Sequence, residues 1–399
     1  MLKKIIQLDF LASILGKIFE PIFLLVYLGL TVFKGKFTHI KLCCFFLIIL
    51  LHSLIMSIFT GYDVNKSFQQ VLLLFITLLG YAQIYNKVSL EEIFSIYLKY
   101  VYWVALLGLI QYFIYSTLQI NIFPYTLDMV KTQTGERLHS ILLEPGSVAG
   151  FFAPAVSYII ISRIFIKKYF IKSIVIISAF LLTFTSAAIV CLLLALCFRF
   201  YDRLKRFKIV FLGVLFAVVF FVLNINYKSY TFSDTDSSIN KAMGKISETA
   251  LTLSTITSER INPHFFEELN ASSYAQLTNY WVAFNAPCRL LGTGLGTHAQ
   301  NYEAVYVSNY VLYGLNKDDG YSSFARLLSE FGYVGLIVYF IFIYKYFNKN
   351  NLLNCCFLIF MILYMIKGGH YTLYCAALFH YLYYLCGKKT EIDESAIYL

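Results

Sequence analysis

Apolar runs of about 17–25 residues, each long enough to cross the hydrocarbon core of a bilayer as a helix, recur along most of this 399-residue chain. None of them shows the strand-like alternation of a membrane barrel. Helices are then the spanning structure, because lipid offers exposed backbone groups no partners. The pattern predicts spans over residues 42–59, 68–85, 94–118, 147–166, 209–223, 331–346, 352–366 and 371–386. Residues 1–33 read two ways: 5–19 carry Asp9 and Lys17 and suit an interfacial helix, while Glu20-Pro21 can break a short hairpin. The expected fold is an all-α polytopic integral membrane protein of about 11 (10–12) transmembrane helices with one long periplasmic loop.

Charge orients these spans. Bases gather in short connections: Lys34, Lys36 and Lys41; Arg163, Lys167, Lys168 and Lys172; Arg199, Arg203, Lys205, Arg206 and Lys208; Lys388 and Lys389. That is the cytoplasmic excess of Lys and Arg expected of membrane topology. The run 173–198 has basic flanks on both sides, so two short helices meeting near Thr183-Phe-Thr-Ser-Ala187 are predicted rather than one straight crossing. Two polar segments, 119–146 and the long one from about 226 to 329, then share the opposite face, which in a bacterium is the periplasm. The chain divides into an N-terminal bundle (1–224), an outer loop (225–329), C-terminal helices (330–387) and an acidic cytoplasmic tail (388–399).

Composition agrees. With 59% hydrophobic and 14% charged residues, a soluble enzyme is excluded, and the net charge of +10 sits in the cytoplasmic connections, so nucleic acid is not a partner. The nine cysteines follow no metal or disulfide spacing, eight of them lying in hydrophobic segments, and Cys288 is alone in the long loop. No small-residue cleavage site follows the first apolar stretch, so no removable signal peptide is expected.

Chemistry is sought in the two outer segments. The first carries Arg137 and Glu144-Pro145. Pro145 suits the first turn of a helix, and Glu144 meets its positive end. Arg137, an outer-face arginine at the lipid boundary, suits a phosphate group. In the long loop, Arg260, Arg289 and Arg326 are further phosphate candidates, although acids such as Glu330, four residues from Arg326, can simply pair with them. The run Leu291-Gly-Thr-Gly-Leu-Gly-Thr-His298 follows no strand, which rejects a dinucleotide fingerprint; its glycines permit close approach of a ligand. Asp318-Asp319-Gly320 reads as a tight turn with carboxylates available. No spacing suggests a metal.

At these residues the sequence resembles the O-antigen polymerase and ligase families of bacterial surface polysaccharide assembly. The likeness rests on the outer Arg137…Glu144-Pro145 segment, the Thr185-Ser186 turn, the glycine run, and Leu328-Ser-Glu330-Phe-Gly332-Tyr-Val-Gly335 at the loop exit. The ligases carry His-Asn ahead of that exit; here Tyr321-Ser322 stands there, preceded by Asp318-Asp319, which favours a polymerase. The resemblance implies metal-independent, cofactor-free glycosyl transfer between undecaprenyl-pyrophosphate-linked repeat units at the inner membrane, with a chain-length regulator as a further partner. It implies that arginines hold the leaving pyrophosphate and that a base takes the acceptor hydroxyl's proton. That base is expected to be Asp319 first and His298 second, with Glu144 orienting Arg137. Tyr280, Trp281, Tyr302 and Tyr321 are available to stack on sugars. A ligase, and in another class a lipid-linked oligosaccharide flippase or other transporter, stay open. Glycan binding without catalysis is a third reading. A transporter calls for charges at mid-membrane or interrupted helices, whereas the visible charges lie mostly in loops.

Overall fold

The computed structural model describes residues 2–15, 19–32, 40–120, 122–123, 137–142, 144–200, 266–267, 269, 271–389 and 393–399. The predicted span 209–223 lies outside the described residues. In chain order the helices are α1 (Leu2–Leu15), α2 (Phe19–Val32), α3 (Ile40–Thr60), α4 (Val64–Tyr85), α5 (Leu90–Leu118), α6 (Pro145–Ile161), α7 (Arg163–Lys168), α8 (Phe170–Leu181), α9 (Ser186–Arg199), α10 (Ala271–Asn285), α11 (His298–Val305), α12 (Ser323–Tyr346), α13 (Leu352–Ile366) and α14 (Ala376–Lys388). No strand occurs among the described residues, only one isolated bridge between Ser322 and Gly368. Helices α3, α4, α5 and α12 are long and apolar enough to cross a membrane, and α2, α6, α8, α9 and α13 are apolar but shorter.

Side chains at the helix starts satisfy backbone donors that have no partner within the helix. Asp63 accepts from Asn65 N–H, Ser89 from Glu92, Ser322 from Ala325 and Asn351 from Asn354. The centre of the bundle is apolar and aromatic, drawn mainly from α5, α6, α9, α13 and α14. Ile48, Ile55, Ile58 and Phe59 on α3 and Ile337, Ile341 and Tyr344 on α12 are exposed. Contiguous apolar faces of this kind suit acyl chains rather than water.

Three breaks shape the site. Helices α8 and α9 are separate, as the two flanking basic clusters predict, and meet at Thr183-Phe184-Thr185. There Thr185 caps α9, and the Thr183 hydroxyl donates to Phe180 O at 2.7 Å. Helix α12 is broken at Gly332 (φ 63°, ψ −164°), because the 289–294 backbone inserts there. Tyr333 and Val334 N–H donate to Arg289 O and Leu290 O, while Thr293 and Gly294 N–H donate to Ser329 O and Glu330 O. The third break separates α13 from α14 at residues 367–375, where Tyr374 (φ 50°) and Cys375 (φ 65°) are left-handed.

Of the two readings of the N-terminal region, the structure matches two short helices: residues 2–15 and 19–32 are helical and packed into the bundle, Phe10 stacks on Tyr97 and Tyr100, and Asp9 and Glu20 are 0% and 2% exposed. Charges therefore do not lie only in loops. The tail is also docked, with Ser162 Oγ donating to Glu394 at 2.8 Å and Lys172 Nζ to Leu399 O at 2.9 Å.

Candidate active site

The turn before α12 is built around a carboxylate. Asn316 (φ 60°), Gly320 (φ 68°) and Tyr321 (φ 61°) reverse the chain, and Ser322 starts the helix. Asp319, 7% exposed, folds back on this turn. Its Oδ1 accepts the Tyr321 N–H at 3.1 Å, and its Oδ2 accepts Asn316 Nδ2–H at 3.3 Å. The same Oδ2 lies 3.0 Å from His370 Nε2. Burial alone raises the Asp319 carboxyl; the His370 contact, the Tyr321 N–H and the Arg326 charge outweigh it and hold the carboxyl below its ordinary value.

His370 belongs to the connection Lys367-Gly-Gly-His370 between α13 and α14. Gly368 N–H donates to Tyr321 O at 2.8 Å, and Arg326 Nη1–H donates to Gly369 O at 3.0 Å. A Cβ on Gly369 would stand 1.5 Å from Asp319 O, so only glycine lets these two turns meet. Tyr364 Oη–H donates to His370 O at 2.6 Å. With Nε2–H directed at Asp319, the neutral imidazole carries its lone pair on Nδ1. The His370 side chain is 31% exposed, against 10% for Asp319. A carboxylate that orients an accessible imidazole is the arrangement of a general base.

Arg326 is spoken for. It is 4% exposed, its Nε–H donates to Glu330 at 2.9 Å, and its guanidinium lies 4.1 Å from the Tyr371 ring centre. Tyr371 Oη–H donates to the other Glu330 oxygen at 2.9 Å. With Nη1 on Gly369 O and Nη2 3.5 Å from Gln70 Oε1, this arginine ties α12 to the 367–371 turn and to α4. The Glu330 pairing that the sequence offers as the alternative to a phosphate role is thus formed, and it is buried rather than on the surface.

Lys367 is a further cation in this turn. Its Nζ lies 5.7 Å from the Tyr321 ring centre and near Gly146, in the first turn of α6. Burial, then the nearby Arg137 charge, lowers the amine to about 8, with Glu144 acting in the opposite direction. Glu144 is the exposed residue before Pro145 at the start of α6. Lys367, Arg137 and the α6 N-terminus thus converge on one spot, which suits an anion.

Arg137 does something further. Its Nε–H donates to Thr183 O at 3.0 Å and its Nη2–H to Phe184 O at 3.2 Å, clamping the α8–α9 break. Lysine lacks the planar fork and reaches only one carbonyl. Arg137→Lys is therefore expected to cost about 1–2 kcal/mol of stability, read from unfolding of the purified protein. An unchanged melting curve would remove the clamp.

The remaining predicted residues are placed elsewhere or engaged. His298 is 1% exposed at the start of α11, not in a flexible turn. Nδ1 lies 2.6 Å from Ser329 Oγ and Nε2 2.9 Å from Asn279 Oδ1, and burial followed by the Arg326 charge lowers the ring to about 3. It is a neutral bridge with both nitrogens in use. The glycines admit protein backbone rather than ligand: a Cβ on Gly292 would meet Glu330 C at 2.3 Å, and one on Gly294 would meet Ser53 O at 2.8 Å. Arg289 is exposed away from this cluster, 3.3 Å from Asn285 Oδ1, beside an apolar recess with Ile55, Met56 and Phe59. Arg260 lies outside the described residues. Tyr302 is fully buried in a small core built from residues between Phe266 and Leu315, whereas Tyr280 and Trp281 are half-buried.

His370 and Lys367 stand at the two ends of a four-residue connection between two apolar runs, a polar stretch too short to stand out in the sequence beside the two long polar segments. A signal was present: a lysine and a histidine flanking Gly-Gly, on the face where the charge rule leaves few bases. Comparison of the chain with protein-family models, with curated proteins and with solved structures finds no match to any of them.

Proposed function

We propose that this chain is an O-antigen polymerase: a metal-independent glycosyltransferase that joins undecaprenyl-pyrophosphate-linked repeat units at the periplasmic face of the inner membrane, on a scaffold of about eleven spans. The observation that carries this reading is the Asp319–His370 pair beside Lys367 and the α6 N-terminus, at the end of a bundle with apolar outer faces. It combines a base for a poor nucleophile with cations for a phosphate leaving group, next to lipid.

In this reading His370 Nδ1 takes the proton of the acceptor sugar hydroxyl as that oxygen bonds to the donor's anomeric carbon. The bond from that carbon to the pyrophosphate oxygen breaks, and the electron pair leaves with the pyrophosphate. Lys367, Arg137 and the α6 N–H groups stabilise the charge that accumulates there. Asp319 fixes the imidazole tautomer and stabilises the imidazolium, which then returns its proton to water. The base thus moves from Asp319 to its partner, and Asp319 becomes the orienting group. Chain entry of the lipid tail runs between helices.

The decisive assay is the purified chain in liposomes with synthetic lipid-linked repeat units, lipid A-core and a chelator. A ladder of lengthened glycans is expected. Transfer only to lipid A-core makes the protein a ligase. Absence of any new glycosidic bond favours transport, the reading that the buried acids Asp9 and Glu20 and the interrupted helices support.

Lys367 supplies a pH test. Only the protonated amine holds phosphate, so kcat/KM for the donor is expected to fall as pH rises through about 8. An amine depressed in the folded state contributes stability that grows from that pH towards 10.5, its ordinary value. Loss of activity with a fold that holds or firms is thus the signature. Lys367→Arg should carry the activity beyond pH 8; an alkaline limb that does not move excludes Lys367.

A further inference from the structure

Two carboxylates lie in the apolar interior, away from the site described above. Asp9 on α1 and Glu20 on α2 are 0% and 2% exposed. Tyr85 Oη–H donates to Asp9 Oδ2 at 2.7 Å, and Tyr81 Oη–H donates to Glu20 Oε1. Ser13, one turn from Asp9, also hydrogen-bonds Glu20. Its Oγ accepts Cys375 N–H at 2.9 Å and lies 3.2 Å from Cys375 Sγ. Asp9 Oδ1 is shut off from solvent and has no hydrogen-bond partner.

Among the described residues, no compensating charge faces the pair. The titratable groups that face the pair are Tyr81 and Tyr85 of α4 and Cys375 of the turn before α14. On the α5 side, Tyr100 Oη–H donates to Gln7 O, and Tyr97 Oη–H is taken by Phe151 O. Among the described residues no Lys, Arg or His pairs with either carboxylate. Two carboxylates buried in apolar surroundings repel each other and lose their hydration, which neutral tyrosine donors do not replace. Ionisable groups of this kind inside a membrane bundle bind or relay ions.

We infer that Asp9, Glu20 and Ser13 form a binding site for a monovalent cation, a proton or an alkali-metal ion, in the interior of the bundle. Asp9 Oδ1 is the oxygen the cation takes, bridging towards Glu20. Both ions supply the same single positive charge, and both keep the tyrosine hydrogen bonds intact. The site touches the outer one mechanically. Ser13 holds the backbone of Cys375, and the preceding residue, Tyr374, sits beside Glu144 and Ser147 with φ 50°. Cation occupancy therefore bears on the turn that carries Tyr374. None of this rests on the glycosyltransferase reading.

The test uses the purified full-length chain. Infrared spectra are taken at neutral pH in choline, sodium and potassium buffers, and unfolding is followed against each salt. A proton site gives a protonated-carboxyl C=O band in all three buffers, which Asp9→Asn or Glu20→Gln removes. An alkali-metal site gives no such band in sodium or potassium, with stability that climbs with that ion, not with choline, and a dependence lost in Asp9→Asn. Asp9→Asn is isosteric and carries no charge, so it is expected to fold without the cation. Should neither variant fold, the wild-type spectra and salt series still decide. A wild type with no protonated carboxyl and no dependence on sodium or potassium overturns the inference.

Discussion

On the proposed polymerase function, replacing His370 by glutamine is expected to lower the polymerisation rate by about 10²–10⁴ while leaving donor binding in place. Glutamine keeps a donor for Asp319 but takes no proton from the acceptor hydroxyl. The loss should therefore appear in kcat. Asp319→Asn tests the other half of the pair. Its amide no longer requires Nε2–H of the imidazole, so the tautomer that exposes the Nδ1 lone pair loses its support. The geometry gives both variants something definite to disturb, since the His370–Asp319 contact is 3.0 Å and His370 O is separately held by Tyr364. Wild-type rates in His370→Gln at normal expression would return the base to Asp319 or remove the dyad from the chemistry.

Arg326→Met is the second large effect, and it falls on stability. Glu330 is 0% exposed, and removing its partner leaves a buried charge with Tyr371 as its remaining hydrogen-bond donor. Breaking such a pair from one side costs about 3–5 kcal/mol. The double change Arg326→Met with Glu330→Leu removes both charges and should recover a good part of that loss, because two apolar side chains need no compensation. A pyrophosphate ligand would behave differently, with rate lost at unchanged stability and no recovery in the double variant. Unfolding of wild type, Arg326→Met, Glu330→Leu and the double variant in detergent, together with their polymerisation rates, separates the two. If Arg326→Met unfolds like wild type and is inactive, Arg326 rejoins the site.

Much of the scaffold was readable before any coordinates. Hydrophobic length marks α3, α4, α5 and α12, because crossing lipid as a helix demands a continuous apolar run whatever lies around it. The α8–α9 break was legible from two basic clusters flanking a single run with hydroxylated residues at its middle. The polar segments around Arg137 and Asp319 were also visible, because polar residues that interrupt such a chain stand out.

Roles were a different matter, since they depend on contacts between residues far apart in the chain. Arg326 reads as a surface pair or a phosphate ligand until Tyr371 and Gly369 arrive beside it from the end of α13. His298 looks mobile among glycines, yet Ser329 and Asn279 take both its nitrogens. Asp9 and Glu20, eleven residues apart and each beside apolar neighbours, give no local sign that α1 and α2 bring them together against Tyr81 and Tyr85. Hydropathy by itself determined that the chain is helical and which runs are apolar enough for lipid, because that free energy is summed over each segment locally. Only the tertiary structure decided which charges are neutralised and which face an opening, because burial and partnership depend on what other helices bring within a few ångströms.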